Sequence, residues 1–229
     1  MRYPWILFDA DDTLFDFHRS AQHALALTLA HFKIKPQATH IDTYESINRE
    51  AWASFERNEI NALELRRVRF ERFLDAIGEL RDPLEMNGHY LLELSRTEFL
   101  VEGARELIEE FLEKDYRLGL ITNGLKEVQR PRIAQARMES YFQVIVVSDE
   151  IGVSKPHNGF FDHAFEQMGQ PQKTAVLVVG DSLSSDIQGG NSFGLDTCWY
   201  NPKKSANLSG HTPVYEISRL HDLRKIVGI

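Results

Sequence analysis

Trp5-Ile6-Leu7-Phe8-Asp9-Ala10-Asp11-Asp12-Thr13-Leu14 joins an apolar run to a cluster of acids. The apolar run reads as a short β-strand buried on both faces. In extended chain, residues i and i+2 point to the same side, so Asp9 and Asp11 are expected to aim at one small volume past the strand end. Unpartnered carboxylates ~4 Å apart repel by roughly 4 kcal/mol at an effective dielectric of ~20. A divalent cation with oxygen ligands is the simplest relief, with a proton or solvent as alternatives. Asp12 and Thr13 are also good helix caps and are expected at the start of the next helix.

Working outward, four more apolar runs read as strands: Arg117–Ile121, Val144–Val147, Ala175–Val179 and Thr197–Tyr200. Helical stretches separate them at Leu125–Gln135, Phe160–Met168 and Leu183–Phe193, and Glu102–Lys114 is a further core helix. This alternation predicts an α/β fold, a doubly wound parallel Rossmann-like sheet, whose ligands bind at the carboxyl ends of the strands. Between the first and second strands the pattern changes. His18–Phe32, Tyr44–Arg57, Ala62–Ile77 and Pro83–Arg96 have helical periodicity, punctuated by Pro36, Gly78 and Pro83. The expected organisation is a catalytic core of residues 1–16 and 98–229, with an all-helical cap, residues 17–97, inserted after the acid motif. Asn201–Pro213 is polar and reads as a surface loop.

The bulk composition is that of an ordinary globular protein. The 229 residues are 42% hydrophobic and 26% charged, with a net charge of −8. That charge argues against nucleic acid or an anionic membrane as the main partner, but not against a small anion in a cleft. Cys198 is the lone cysteine, which excludes an internal disulfide and agrees with a reducing cytoplasm. No apolar stretch approaches the ~18 residues of a membrane span, and no secretory signal is expected at the N-terminus.

Three further motifs follow predicted strand ends. Thr122-Asn123-Gly124 offers a hydroxyl, an amide and a turn into a helix, either an anion site or an ordinary Asn-Gly turn. In Gly152-Val153-Ser154-Lys155-Pro156, Pro156 is expected to open the next helix and hold Lys155 toward an oxyanion; the alternative is an exposed loop lysine. In Gly180-Asp181-Ser182-Leu183-Ser184-Ser185-Asp186, Gly180 allows close backbone approach and Asp181 sits where a metal ligand would sit. Asp186 could bond Lys155 or a metal-bound water, while Asp181 or Ser182 could instead cap the helix.

Acids, hydroxyl, lysine and acids, in that order and each just past a strand, resemble the four motifs of the haloacid dehalogenase-like (HAD) hydrolase superfamily. The resemblance covers essentially the whole chain. It implies a phosphomonoesterase in which Asp9 is the nucleophile that forms an aspartyl-phosphate, and Asp11 is the general acid and then the general base. It implies Mg2+, with Mn2+ as an alternative, bound by Asp9, the backbone carbonyl of Asp11 and Asp181, with Asp186 beside it. Thr122, Asn123, Gly124 and Lys155 would hold the phosphoryl oxygens. True dehalogenases lack the second acid, so Asp11 favours a phosphatase, although a phosphomutase would keep it.

The motif segments and Thr197-Cys198-Trp199 further resemble the YjjG-type pyrimidine 5′-nucleotidases, which are cytoplasmic and metal-dependent. A nucleoside monophosphate is therefore the expected substrate, with a sugar phosphate or phosphoglycolate as the alternative. A phospho-accepting signalling module is the alternative of another class; the absence of a cap and of a general acid two residues past the phosphorylated Asp in such modules argues against it. No obligate protein partner is expected. In the cap, Trp52 and Phe55 could stack on a base, and Arg66 or Arg69 could reach a phosphate or carbonyl. The stronger reading of the aromatics, with Phe70 and Phe73, is helix core, and that of the arginines is a solvated face. Phe17 and His18 fall at the cap hinge, where they would line the pocket mouth or pack the junction.

Overall fold

The computed structural model describes residues 2–57 and 59–229. Their order is β1 (Trp5–Phe8), α1 (Phe17–His31), α2 (Ala38–Glu56), α3 (Ala62–Ile77), α4 (Pro83–Ser95), α5 (Ala104–Glu113), β2 (Arg117–Thr122) and α6 (Lys126–Gln135). There follow β3 (Val144–Val147), α7 (Ser148–Ile151), α8 (Asn158–Met168), β4 (Val176–Gly180), α9 (Gln188–Phe193), β5 (Asp196–Tyr200), β6 (Tyr215–Ile217) and α10 (Leu223–Val227). The strands form one parallel sheet in the order β3-β2-β1-β4-β5-β6. Strand order reverses between β1 and β4, and in such sheets the crevice at that reversal is where ligands bind.

Strand alternation divides the core between the two faces of the sheet. Ile6 and Phe8 pack with Leu118, Leu120, Leu177 and Val179 beneath Leu107, Ile108 and Phe111 of α5. Trp5 and Leu7 pack on the opposite face with Val176, Val178 and the α8 residues Phe160, Phe161 and Phe165. This burial on both sides explains why the predicted strands are continuous apolar runs.

Helices α1 to α4 have their own core of Leu25, Tyr44, Phe70, Phe73, Leu74, Tyr90 and Leu94. Their ends carry ordinary local signals. Asn61 and Glu64 form a reciprocal capping box at α3, Gly78 ends that helix with a left-handed φ of 71°, and Asp82 caps α4 ahead of Pro83. Leu125 and Val128 belong to the same cluster, so the insert packs continuously onto the start of α6.

Several expectations need correction. The helix after Lys155 does not open at Pro156; it opens at Asn158, because a turn closed by the His157 N–H on the Ser154 carbonyl (3.0 Å) comes first. Leu183–Phe193 is not one α-helix: Leu183–Ile187 is a wider π-type turn and α9 follows it. Strand β6 and helix α10 were not anticipated. Among the described residues, no helix is long and apolar enough to cross a membrane.

Gly119 of β2 faces Leu7 so closely that an added Cβ would lie 2.6 Å from Leu7 Cδ2. Gly119→Ala should lower stability by about 1–3 kcal/mol through overpacking. A urea midpoint equal to that of the parent would show that Leu7 yields at no cost.

Candidate active site

Backbone pairing continues one residue past β1, where the Asp9 N–H donates to the Val179 carbonyl (2.9 Å). The chain then leaves extended geometry. The N–H groups of Leu14 and Phe15 both donate to the Ala10 carbonyl (2.9 and 2.8 Å), and Asp12 takes a φ of 59°. The same-side rule for residues i and i+2 therefore ends at this turn. Asp9 and Asp11 take different partners, Lys155 for the one and Arg132 and Gln129 for the other, while remaining close enough for Asp11 to raise Asp9. The capping expectation also changes: Asp16 is the N-cap of α1 and accepts from the Arg19 N–H (2.9 Å), while Asp12 Oδ1 adds acceptors for the Phe17 and His18 N–H groups (3.1 and 3.3 Å). Thr13 is buried and caps nothing.

Lys155 is buried, and its ammonium donates to Asp9 Oδ1 (2.5 Å), Asp186 Oδ1 (2.7 Å) and the Ile121 carbonyl (2.8 Å). These three bonds match the three N–H donors of an ammonium, so the lysine is neither exposed nor idle. Asn123 clamps its backbone from both sides: Nδ2 donates to the Lys155 carbonyl and Oδ1 accepts from the Lys155 N–H, each at 2.8 Å. Asp186 is held in turn by the Ser182 N–H on Oδ2 (3.1 Å). Gly180 is required where it stands, because a Cβ there would overlap the Asp186 carboxylate. Ser182 Oγ caps the following turn by accepting from the Ser185 N–H (3.2 Å), and the Asp181 carbonyl accepts from Trp199 Nε1 (2.8 Å).

Carboxylate oxygens of Asp9, Asp181 and Asp186 lie within 4.8 Å of one another. Burial pushes the Asp9 carboxyl up to about 8; Lys155 opposes the shift, and Asp186 and Asp11 add to it. Burial also holds Asp181 well above the ordinary carboxylate range, reinforced by Asp9 and Asp186, although part of its surface stays open. Burial alone would lower the Lys155 ammonium, but Asp186 and Asp9 outweigh it and the net shift is upward. Three carboxylates against one ammonium leave a local deficit of positive charge. The donors are all hard oxygens, with no His or Cys among them, and they fit a small hard divalent cation. The Asp11 side chain is not part of this cluster, in keeping with an expected metal set that uses its backbone carbonyl rather than its carboxylate.

Asp11 is held by α6. Its Oδ1 accepts from Arg132 Nη1 (2.5 Å) and its Oδ2 from Gln129 Nε2 (2.6 Å). It borders a cavity of about 170 Å³ walled by Phe17, Trp52, Leu91, Leu94, Leu125 and Val128, with Arg69, Asn123, Gly124 and Gln129 as its polar and backbone elements. Arg69 is buried: Nε and Nη2 donate to Asn87 Oδ1 (3.1 and 2.6 Å), and Nη1 to Asn48 Oδ1 (3.2 Å). Thr122 ends β2 and is buried. The remaining cap candidates stand apart from the cavity. Phe55 meets the edge of Trp52 and lines a separate cleft, Arg66 pairs with Glu127 (2.6 Å) and Asp149 (3.6 Å), and His18 pairs with Glu45 (2.9 Å).

Gln129, Arg132, Asn48 and Asn87 were not singled out from the sequence. A signal existed for the first two: Leu125, Val128, Gln129 and Arg132 follow the i, i+3, i+4, i+7 spacing of one helix face, directly after Thr122-Asn123-Gly124.

The sequence profile of the haloacid dehalogenase-like hydrolases matches residues 6–200. The chain belongs to this family. As a HAD-like hydrolase it is an enzyme, which decides against the signalling-module alternative. It is 32% identical to the pyrimidine 5′-nucleotidase YjjG of Escherichia coli, over 99% of each chain. It is 33% identical to the pyrimidine 5′-nucleotidase PynA of Streptococcus pneumoniae, over 97% of this chain and 94% of that one. The crystal structure of the HAD-hydrolase YfnB from Bacillus subtilis, bound to magnesium, superposes on this hydrolase with a TM-score of 0.94 at 34% identity, over 100% of both chains.

A carboxylate cluster suited to a divalent cation makes two testable demands. A divalent cation should stabilise the fold, by about 2.7 kcal/mol at a hundredfold excess over Kd, and Asp181→Ala should remove that gain in a thermal melt with and without Mg2+. The cation-free protein should also lose stability as pH rises from the ordinary Asp range to about 8. In that window folded Asp9 retains a proton that the unfolded chain has released, so the slope is negative. A flat profile without cation would contradict the buried cluster.

Proposed function

We propose that this HAD-like hydrolase is a magnesium-dependent phosphomonoesterase acting through an aspartyl-phosphate, and that its substrate is a pyrimidine nucleoside monophosphate. The observation that carries the chemistry is the buried Asp9–Lys155–Asp186 bridge, with Asp181 alongside, at the reversal point of the sheet. The nucleotidase reading is supported by full-length likeness to YjjG and PynA, and the magnesium dependence by the magnesium bound to YfnB.

In the proposed reaction, an Asp9 carboxylate oxygen attacks phosphorus and the bond to the leaving oxygen breaks. Asp11 gives its proton to that oxygen. A water then attacks the aspartyl-phosphate, loses a proton to Asp11, and frees phosphate and Asp9. Lys155 and Thr122, with Asn123 and Gly124 in the adjoining turn, would bind the phosphoryl oxygens; a phosphoryl oxygen reaching Lys155 competes with Asp9 for one of its donors. A cation held by Asp9 and Asp181, with the Asp11 carbonyl and Asp186 beside them, would supply charge neutralisation for the phosphoryl group.

Residues 17–97 act as the cap in this proposal and the remainder as the core. The interdomain movement seen in YfnB supports a cap that opens and closes. The leaving nucleoside would enter the cavity beside Asp11, with Phe17 and Trp52 as apolar walls and Arg69 as the polar anchor. At about 170 Å³ the cavity is below the roughly 300–1,000 Å³ of drug-sized pockets, a size for one small ring.

A panel of UMP, dUMP, dTMP, phosphoglycolate and hexose phosphates at fixed Mg2+ should give its highest kcat/KM on the pyrimidine nucleotides. Activity confined to sugar phosphates would overturn the nucleotidase reading and leave the chemistry standing. Asp9→Asn should abolish turnover with the fold retained, and Asp11→Asn should lower kcat by roughly 10²–10⁴. Near-normal rates for Asp9→Asn would remove the covalent intermediate.

A further inference from the structure

Arg132 is a large charged side chain with none of its surface exposed. Its Nη1 meets Asp11 Oδ1 at 2.5 Å, its Nη2 reaches Ser20 Oγ only at 3.5 Å, and its Nε has no acceptor. The rings of Phe15 and Phe17 lie 4.9 and 5.9 Å from its guanidinium carbon. Asp11 is thus the one carboxylate paired with this buried cation among the described residues. An unpaired buried charge is strongly unfavourable, so Arg132 and Asp11 constrain each other.

The second Asp11 oxygen is fixed from the same helix. Gln129 lies one turn before Arg132 and donates to Oδ2 at 2.6 Å. Gln129 in turn lies against Gly124, where a Cβ would overlap its amide. One rigid element, α6, therefore grips both oxygens of a carboxylate that otherwise sits in a turn. A carboxylate offers about four lone-pair sites. Two are taken, and the others are left for the cavity that Asp11 borders.

We infer that Arg132 is a positioning residue for Asp11, and that Gln129 completes the grip. The inference rests on the reading of Asp11 as the acid and base. Arg132 stays on Oδ1 throughout. Oδ2, aimed by Gln129, carries the proton: it releases it to the leaving oxygen as the P–O bond breaks, and recovers it from water as the new O–P bond forms.

Acid assistance matters for an alkoxide leaving group and little for a stabilised phenolate, which separates positioning from a structural role. The experiment compares kcat/KM, which reports the ester-cleaving step and not the shared hydrolysis of the aspartyl-phosphate, on the fastest alkyl phosphate of the panel and on p-nitrophenyl phosphate, both with Mg2+. It uses the parent, Asp11→Asn, Arg132→Met, Arg132→Lys and Gln129→Met. Arg132→Met should lose at least roughly tenfold more kcat/KM on the alkyl ester than on the aryl ester, within the range of a general acid. KM should change little, and Arg132→Lys should recover part of the loss. Gln129→Met, which strands no charge, should give a smaller loss in the same direction and carries the test if Arg132→Met does not fold. Equal losses on both esters in the Arg132 and Gln129 variants, while Asp11→Asn discriminates between them, would overturn the positioning role alone. Failure of Asp11→Asn to discriminate would overturn the acid reading and the positioning role with it.

Discussion

One nitrogen organises the functional end of this molecule. The Lys155 ammonium is bonded to Asp9 just past β1, to Asp186 in the turn beyond β4, and to the Ile121 carbonyl of β2. Three strand ends and the loop after β3 are thus tied at a single buried point. Such a bridge is a poor way to gain stability, because desolvating the charges offsets most of their attraction, and well-packed apolar residues would do as well or better. Losing one partner, by contrast, leaves a buried charge and typically costs 3–5 kcal/mol. The bridge therefore holds geometry more than it holds the fold, and the carboxylate that Asp181 adds makes the cluster suited to a divalent cation.

The turn after Asp9 divides the acids by task. Had extended geometry continued, Asp11 would have joined the carboxylate cluster and deepened its charge deficit. The Ala10 carbonyl instead gathers two N–H groups, the chain folds over, and Asp11 emerges beside Arg132. A cation of the chain answers Asp11, whereas the cluster around Asp9 lacks enough of them. This asymmetry is the physical basis for giving two acids only two positions apart different proposed roles.

Much of this was legible in the sequence, for reasons specific to each element. β1, β3 and β4 are apolar runs because both faces of the sheet are covered, and the motifs stand out by falling at their ends. The Lys155–Asp186 contact was among the expected options, since both residues fall in motifs assigned to one site. β6 was not legible: it is three residues long, it is the edge strand, and Glu216 at its centre is exposed. Arg69 and Arg132 were harder still. Arginine is mostly exposed, and only the tertiary fold brings Asn48, Asn87 and Asp11 to the guanidinium groups. The spacing of Leu125, Val128, Gln129 and Arg132 carried the information, but a helix face with two polar members reads as half-solvated until a second domain's core is seen resting on it.

That shared face of α6 explains how two unlike compartments can adjoin. Toward the strand ends lies a charged pocket of carboxylates and an ammonium, suited to a cation and a phosphoryl group. Toward the helical insert lies a cavity walled mainly by aromatic and aliphatic side chains. A phosphate ester has the same polarity profile, with its charge on one side of the bridging oxygen and its carbon framework on the other. Asp11 stands at the boundary, gripped from α6, where the bridging oxygen of such a substrate would fall. The apolar face of α6 packs the insert while its polar members hold Asp11, so movement of the insert and orientation of the acid depend on the same helix. The Arg132–Asp11 pair belongs to the core side of the junction, but Arg132 also meets Phe17 and Ser20 of α1, so a cap that shifted on α6 would bear on the pair as well as on the cavity wall.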